Sequence, residues 1–337
     1  MISYPKPPKI INLLTLVMFC VLCFSCGKDD NGPLSKPPDK GATISATSSD
    51  TILYVTVDNY DIPVYISIPK DCNLKDFPAV VLKHGSGGMW KDDDPSKGIM
   101  SSQNREWKDI FNENCFVGAY VDSYTGAGAV ERSGKWDTPP ETFKISAQFV
   151  RPRHANAALT LLRNLTFEDG SKIVRSKDIG ILGFSDGAGA TFATLYDSNA
   201  TPSGWKWTQK YDGKEYTEAD GVRPPPVIPN EGGFKGGVFY YGGVYGHGYW
   251  GGNPCGDDAL TDNIYQVYAP MLFHIAAEGY LAENALCMVD LLMEKENPIE
   301  LNLLENVGHG FDTDELEQSV RARNNTIDWF KELFNMN

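Results

Sequence analysis

The sequence has no Cys-x-x-C pair, and Cys72, Cys115, Cys255 and Cys287 are spaced unlike zinc ligands. It also lacks an excess of basic residues. Its formal net charge is −14, a sign that repels phosphate backbones, so nucleic acid is not an expected partner. No interior stretch reads as a linker between two cores, and residues 51–337 are expected to form one large domain. The one long apolar run, Ile10–Phe24, is short for a membrane span and is followed by acidic rather than basic residues. Asp197–Lys235 shows no sustained period and reads as an insertion, a lid or a subsite wall.

Apolar residues make up 42% of the chain and aromatics 12%, enough for a sizeable core. At the N-terminus Lys6 and Lys9 precede the apolar run, as in the n- and h-regions of a secretory signal. The run ends Cys23-Phe24-Ser25-Cys26-Gly27-Lys28-Asp29-Asp30, which resembles the lipobox of bacterial lipoproteins, with Cys23 where leucine is usual. That resemblance implies loss of residues 1–25 and lipidation of Cys26. Residues 26–50 would then be a flexible tether to a periplasmic, outer-membrane or cell-surface position. An exported chain can oxidise its interior cysteines, but spacing gives no pairing, and buried free thiols stand equally open.

Alternation from Thr51 to Ile68 about Asp58-Asn59-Tyr60-Asp61 predicts a β-hairpin. Further strands are expected at Pro78–Lys83, Cys115–Val121, Ile179–Phe184, Gly237–Tyr241, Ala269–Ala277 and Ile299–Leu304. Helical periods fall between them at Arg105–Asn112, His154–Leu165, Ala188–Tyr196 and Asn284–Lys295, with Asp314–Phe334 as a closing amphipathic helix. Strands alternating with helices imply an α/β fold with a mainly parallel sheet covered on both faces.

Gly183-Phe184-Ser185-Asp186-Gly187 matches G-x-S-x-G between a strand and a helix. Small neighbours let the chains approach around a serine on a sharp turn, and the helix start favours a developing oxyanion. His84-Gly85-Ser86-Gly87-Gly88 is a glycine-rich loop whose N–H groups can turn onto an anion. His309, on a Gly-His-Gly loop after the last core strand, is placed to take the serine proton. His154 reads as a surface or capping residue. Tyr245, His247, Tyr249 and Trp250, among the glycines of 242–252, suit either stacking on a sugar or aromatic ring or simple packing.

Taken with Val121-Asp122-Ser123-Tyr124, Val238-Phe239-Tyr240-Tyr241 and His309-Gly310-Phe311-Asp312, this set resembles the dienelactone hydrolase family of α/β-hydrolases over roughly Thr51–Phe334. The resemblance implies Ser185 as nucleophile, where founding members use cysteine, and His309 as base. It implies an oxyanion hole from the N–H of Asp186 with Ser86 or Gly87. Substrate would lie against His84, Tyr124, Tyr245, His247 and Trp250. Such enzymes cleave esters and lactones with no metal or other cofactor.

The family's acid is an aspartate whose position falls here on Gly279 or Tyr280; Glu278 is one residue early and Glu283 follows later. Glu278 is the first choice as acid, Glu283 the second. The expected function is hydrolysis of a carboxylic ester or lactone, an acylated glycan among the possibilities. The alternative is a weak or inactive glycan- or ligand-binding lipoprotein on the same scaffold.

Overall fold

In this computed structural model residues 42–127, 146–211, 213–220, 222–243, 254–256 and 264–336 are described. The signal segment, Cys26, and the loop bearing Tyr245, His247 and Trp250 lie outside them.

The expected hairpin forms from β2 (Asp50–Val57) and β3 (Tyr60–Ser67). Asp58 and Asn59 between them have φ of 50° and 69°, the pair of positive values that a two-residue type I′ turn requires. Before it, β1 (Thr43–Ile44) pairs with β6 (Thr166–Phe167), and Ala42 and Ile44 are buried. The tether expected over 26–50 therefore ends by residue 42, because two apolar side chains dock on the domain.

The remaining strands of the main sheet are β4 (Phe77–Lys83), β5 (Val117–Val121), β7 (Val174–Phe184), β10 (Gly237–Tyr240), β11 (Met271–Ala276) and β12 (Ile299–Leu304). The sheet runs β12-β11-β10-β7-β4-β5-β3-β2. It is parallel from β12 to β5 and antiparallel where β3 and β2 join.

Alternation along the central strands divides the core. Ala79, Val81, Ile181, Phe239 and Phe273 face one side, against α2 (Arg151–Asn164), α3 (Asp186–Leu195) and α4 (Ala282–Glu294). Val80, Leu82, Leu182, Val238 and Leu272 face α1 (Ser102–Glu113) and α5 (Glu317–Leu333). A sheet covered on both faces needs apolar residues in both registers, and all seven residues of β4 are buried.

The expected insertion carries a short hairpin, β8 (Gln209–Tyr211) with β9 (Lys214–Tyr216). Its Trp207 is buried edge-on to Tyr196 at the end of α3, so this part packs on the domain's core. All four interior cysteines pair, as Cys72–Cys115 and Cys255–Cys287. The free-thiol alternative is thereby overturned.

Candidate active site

Ser185 sits between β7 and α3 with φ 51° and ψ −117°, a conformation rarely adopted outside glycine. Two glycines make this turn possible. A Cβ on Gly183 would lie 2.1 Å from the Gly187 carbonyl oxygen, and one on Gly187 would lie 2.1 Å from the Lys83 carbonyl oxygen. Asp186 opens α3, where the first N–H groups have no acceptor within the helix. Gly85 passes the nucleophile so closely that a Cβ there would be 3.5 Å from the Ser185 Cβ. The loop after β4 thus flanks the serine, while Gly87 is exposed.

His309 reaches the serine from the loop after β12. Val307 is buried, Gly310 turns at φ 86°, and Phe311 packs between Tyr240 and Tyr241. These anchors place His309 Nε2 2.9 Å from Ser185 Oγ. Burial draws the imidazole pKa below its ordinary value, favouring the neutral ring with a lone pair free to take a proton. Its Nδ1 is buried, with no hydrogen-bond partner among the described residues. Glu278 and Glu283 are both exposed, and neither bonds this nitrogen. Neither therefore serves as the triad acid in this geometry, because the turn after β11 leaves Glu278, and the first turn of α4 leaves Glu283, in solvent. The residue this turn brings to the imidazole is Tyr280: its hydroxyl lies 3.3 Å from Nε2, and the two ring centroids are 4.5 Å apart.

His84 and Tyr124 differ from expectation. His84 is buried, its Nε2 accepting from the Ser123 N–H at 3.3 Å and its Nδ1 lying 2.7 Å from the Gly85 carbonyl oxygen. The Tyr124 hydroxyl reaches Asp186 at 3.4 Å, and its ring meets His84 edge-on. Both side chains brace the scaffold rather than face a substrate. His154 is likewise buried rather than a surface cap, and burial holds its pKa well below the usual range.

Sequence reasoning also passed over Arg151. Its guanidinium is fully buried and bonds both the Asp186 carboxylate and the His84 carbonyl oxygen. One planar fork thereby joins the residue after the nucleophile to the start of the glycine loop, the two sources of the expected oxyanion hole. Burial raises the Asp186 carboxyl even against the opposing pull of Arg151. Beside it, Lys83 Nζ donates to Ser123 Oγ at 2.9 Å and to the Arg151 carbonyl at 3.3 Å, and burial pushes its pKa well down.

A second buried carboxylate lies behind the base. Asp312 accepts from the Tyr241 hydroxyl, from Trp107 Nε1 at 2.8 Å and from Gln103 Nε2 at 2.9 and 3.0 Å. Arg323 donates to its backbone carbonyl at 2.6 Å. The cluster ties the His309 loop to α1 and to the end of β10. Burial is the largest influence on this carboxyl and raises its pKa to about 6, although its donors favour the charged form.

A carboxyl raised on folding binds its proton more tightly in the native state. Its contribution to stability is full below the unfolded pKa near 4 and declines as pH rises through about 6. The stability difference between wild type and Asp312→Asn, from denaturant melts, should therefore shrink by on the order of 2–3 kcal/mol between pH 4 and 7. A difference that is flat or grows with pH would contradict this assignment.

The fold is that of α/β-hydrolases. A thermophilic esterase of the planctomycete Thermogutta terrifontis is similar to this chain with a TM-score of 0.52 at 15% identity, covering 88% of this chain and 93% of its own. A dienelactone hydrolase-like promiscuous phosphotriesterase from metagenomic libraries is similar with a TM-score of 0.50 at 14% identity, covering 85% and 99%. No protein-family model matches the chain, and no curated protein sequence matches it.

Proposed function

We propose that the protein is a serine hydrolase of carboxylic esters or lactones, exported and held at a membrane surface by a lipid on Cys26. The observation that carries the activity is the 2.9 Å approach of His309 Nε2 to Ser185 Oγ on a strained strand-to-helix turn. The Ser185 hydroxyl proton passes to Nε2 as Oγ adds to the ester carbonyl carbon. Negative charge on the former carbonyl oxygen is met by the Asp186 N–H and by an N–H of Ser86 or Gly87. The tetrahedral species collapses as Nε2 returns the proton to the departing alkoxide, leaving an acyl-serine. Water then gives a proton to Nε2 as its oxygen attacks the acyl carbon, and Ser185 recovers that proton as the acid leaves.

Export is supported by the charged, apolar, small-residue pattern of residues 6–26 and by disulfides at all four interior cysteines. A tethered enzyme outside the cell would meet soluble or glycan-borne esters. Tyr245, His247 and Trp250 are proposed as the substrate-facing aromatics on the loop after β10.

The test is reaction of residues 27–337 with a fluorophosphonate, read by intact mass and peptide mapping, followed by acetyl, feruloyl and lactone substrates. One adduct at Ser185 with turnover of any of these esters is the expected result. The unpartnered Nδ1 favours a second reading, a non-catalytic ligand-binding protein on this scaffold. A folded protein that neither forms the adduct nor cleaves an ester would overturn the first reading and move the second ahead.

A further inference from the structure

We infer that Tyr280 sets the tautomer of the His309 imidazole, the task a carboxylate on Nδ1 performs in a complete triad. The inference rests on the Ser185–His309 reading above and supplies it with a positioning residue.

A neutral imidazole has one N–H and one lone pair, and only the form protonated on Nδ1 leaves Nε2 able to accept the serine proton. In a triad the acid selects that form by accepting from Nδ1–H. Among the described residues no acceptor does so. Nδ1 is buried and unpartnered, Glu278 and Glu283 are in solvent, and Asp312 is turned to Tyr241, Trp107 and Gln103. On that side alone the imidazole is better off with a bare lone pair than with a buried N–H that has no acceptor. The proton would then sit on Nε2, the wrong place for a base.

The decision falls to Nε2. Two hydroxyls converge on it, Ser185 Oγ at 2.9 Å and Tyr280 Oη at 3.3 Å. A phenol is a stronger hydrogen-bond donor than an aliphatic alcohol, and donation to Nε2 requires its lone pair there. Both hydroxyls donate to the one Nε2 lone pair as a three-centre bond, the shorter arm from Ser185, and this arrangement favours the proton on Nδ1.

The rings supply orientation. Tyr280 leans on one side of the imidazole at 37° and 4.5 Å between centroids; Tyr241 meets it at 66° and 4.8 Å. Tyr280 is one of the two positions, with Gly279, on which the expected aspartate falls, and its phenol acts on the other ring nitrogen.

Tyr280→Phe keeps the ring and removes the donor. Because the side chain is 75% exposed, this variant should fold as wild type does. The protein, labelled with 15N-histidine, is examined by long-range 1H–15N correlation near pH 8, with His309→Gln identifying the resonance. Wild type is expected to show His309 protonated on Nδ1, and Tyr280→Phe to move it toward the Nε2–H form. The rate of fluorophosphonate capture should fall about 10–100-fold in Tyr280→Phe, against the roughly 10⁴-fold known for loss of a triad acid, and KM for p-nitrophenyl acetate should change little.

An unchanged tautomer in Tyr280→Phe, or a wild type already on Nε2–H, overturns the inference and leaves the hydrolase reading standing. The expected tautomer shift in a protein that never captures fluorophosphonate or cleaves an ester supports the role of Tyr280 and removes the hydrolase reading instead.

Discussion

Ser185→Ala is expected to abolish fluorophosphonate capture and to lower ester turnover by ~10³–10⁴-fold, with thermal stability unchanged. The size of this loss follows from the parts present. A full triad loses roughly 10⁶ with its serine, but deleting the acid alone already removes about 10⁴. A Ser–His pair without a carboxylate would thus have about 10² left to lose. The ten- to hundredfold assigned to the Tyr280 hydroxyl raises that to the stated range. Stability should not suffer, because alanine relieves no packing and keeps the Cβ, while the backbone strain at φ 51° persists. The measurement is kcat/KM for p-nitrophenyl acetate in both proteins, with a denaturant melt. A variant at full rate would remove Ser185 from the mechanism. A loss near 10⁶ would mean that a carboxylate does reach His309 in the working enzyme.

Gly187→Ala should destabilise the protein by about 3 kcal/mol and nearly eliminate serine reactivity. The added methyl would stand 2.1 Å from the Lys83 carbonyl oxygen and 2.6 Å from that of His84. Both obstacles are backbone, so no side-chain rotation relieves them. Either α3 or the end of β4 must retreat, and this separates the elbow from the glycine loop that Arg151 holds against it. Chemical melts paired with the fluorophosphonate rate provide the check. Wild-type values for both would show that the turn has slack the geometry denies.

These two positions were legible in the sequence, and the reason is local. A sharp strand-to-helix turn needs glycine on either side, so steric demand writes itself into five consecutive residues. The hairpin at Asp58-Asn59 and the buried strands are legible for the same reason: turn chemistry and period act over a few residues. His309 is legible through chain order and its glycines.

Arg151 carries no such mark. Its partners, Asp186 and the His84 carbonyl, meet it only when α2, α3 and the loop after β4 converge. The inward turn of His84 and Tyr124 is likewise decided by what lies beneath them, a fully buried Lys83 and Arg151. The acid was sought by spacing after β11, and spacing alone cannot tell a side chain in solvent from one against the imidazole. Asp312, three residues past the base, was visible as part of a motif, but its donors come from α1 and the end of β10, far away in the chain.

The Cys72–Cys115 bond has a consequence for how the molecule withstands proteases. Residues 72 and 115 are 43 apart, and the closed ring between them contains β4, the glycine loop and the part of α1 that bears Gln103 and Trp107. Within that ring Lys91 and Lys97 are exposed cleavage points, at the outer ends of two short helical turns. A nick at either lysine leaves two fragments joined by sulfur, and the flanking strands remain in the sheet. The cut chain parts only once a reductant is added, so a protease severs the peptide without detaching the half that carries the glycine loop.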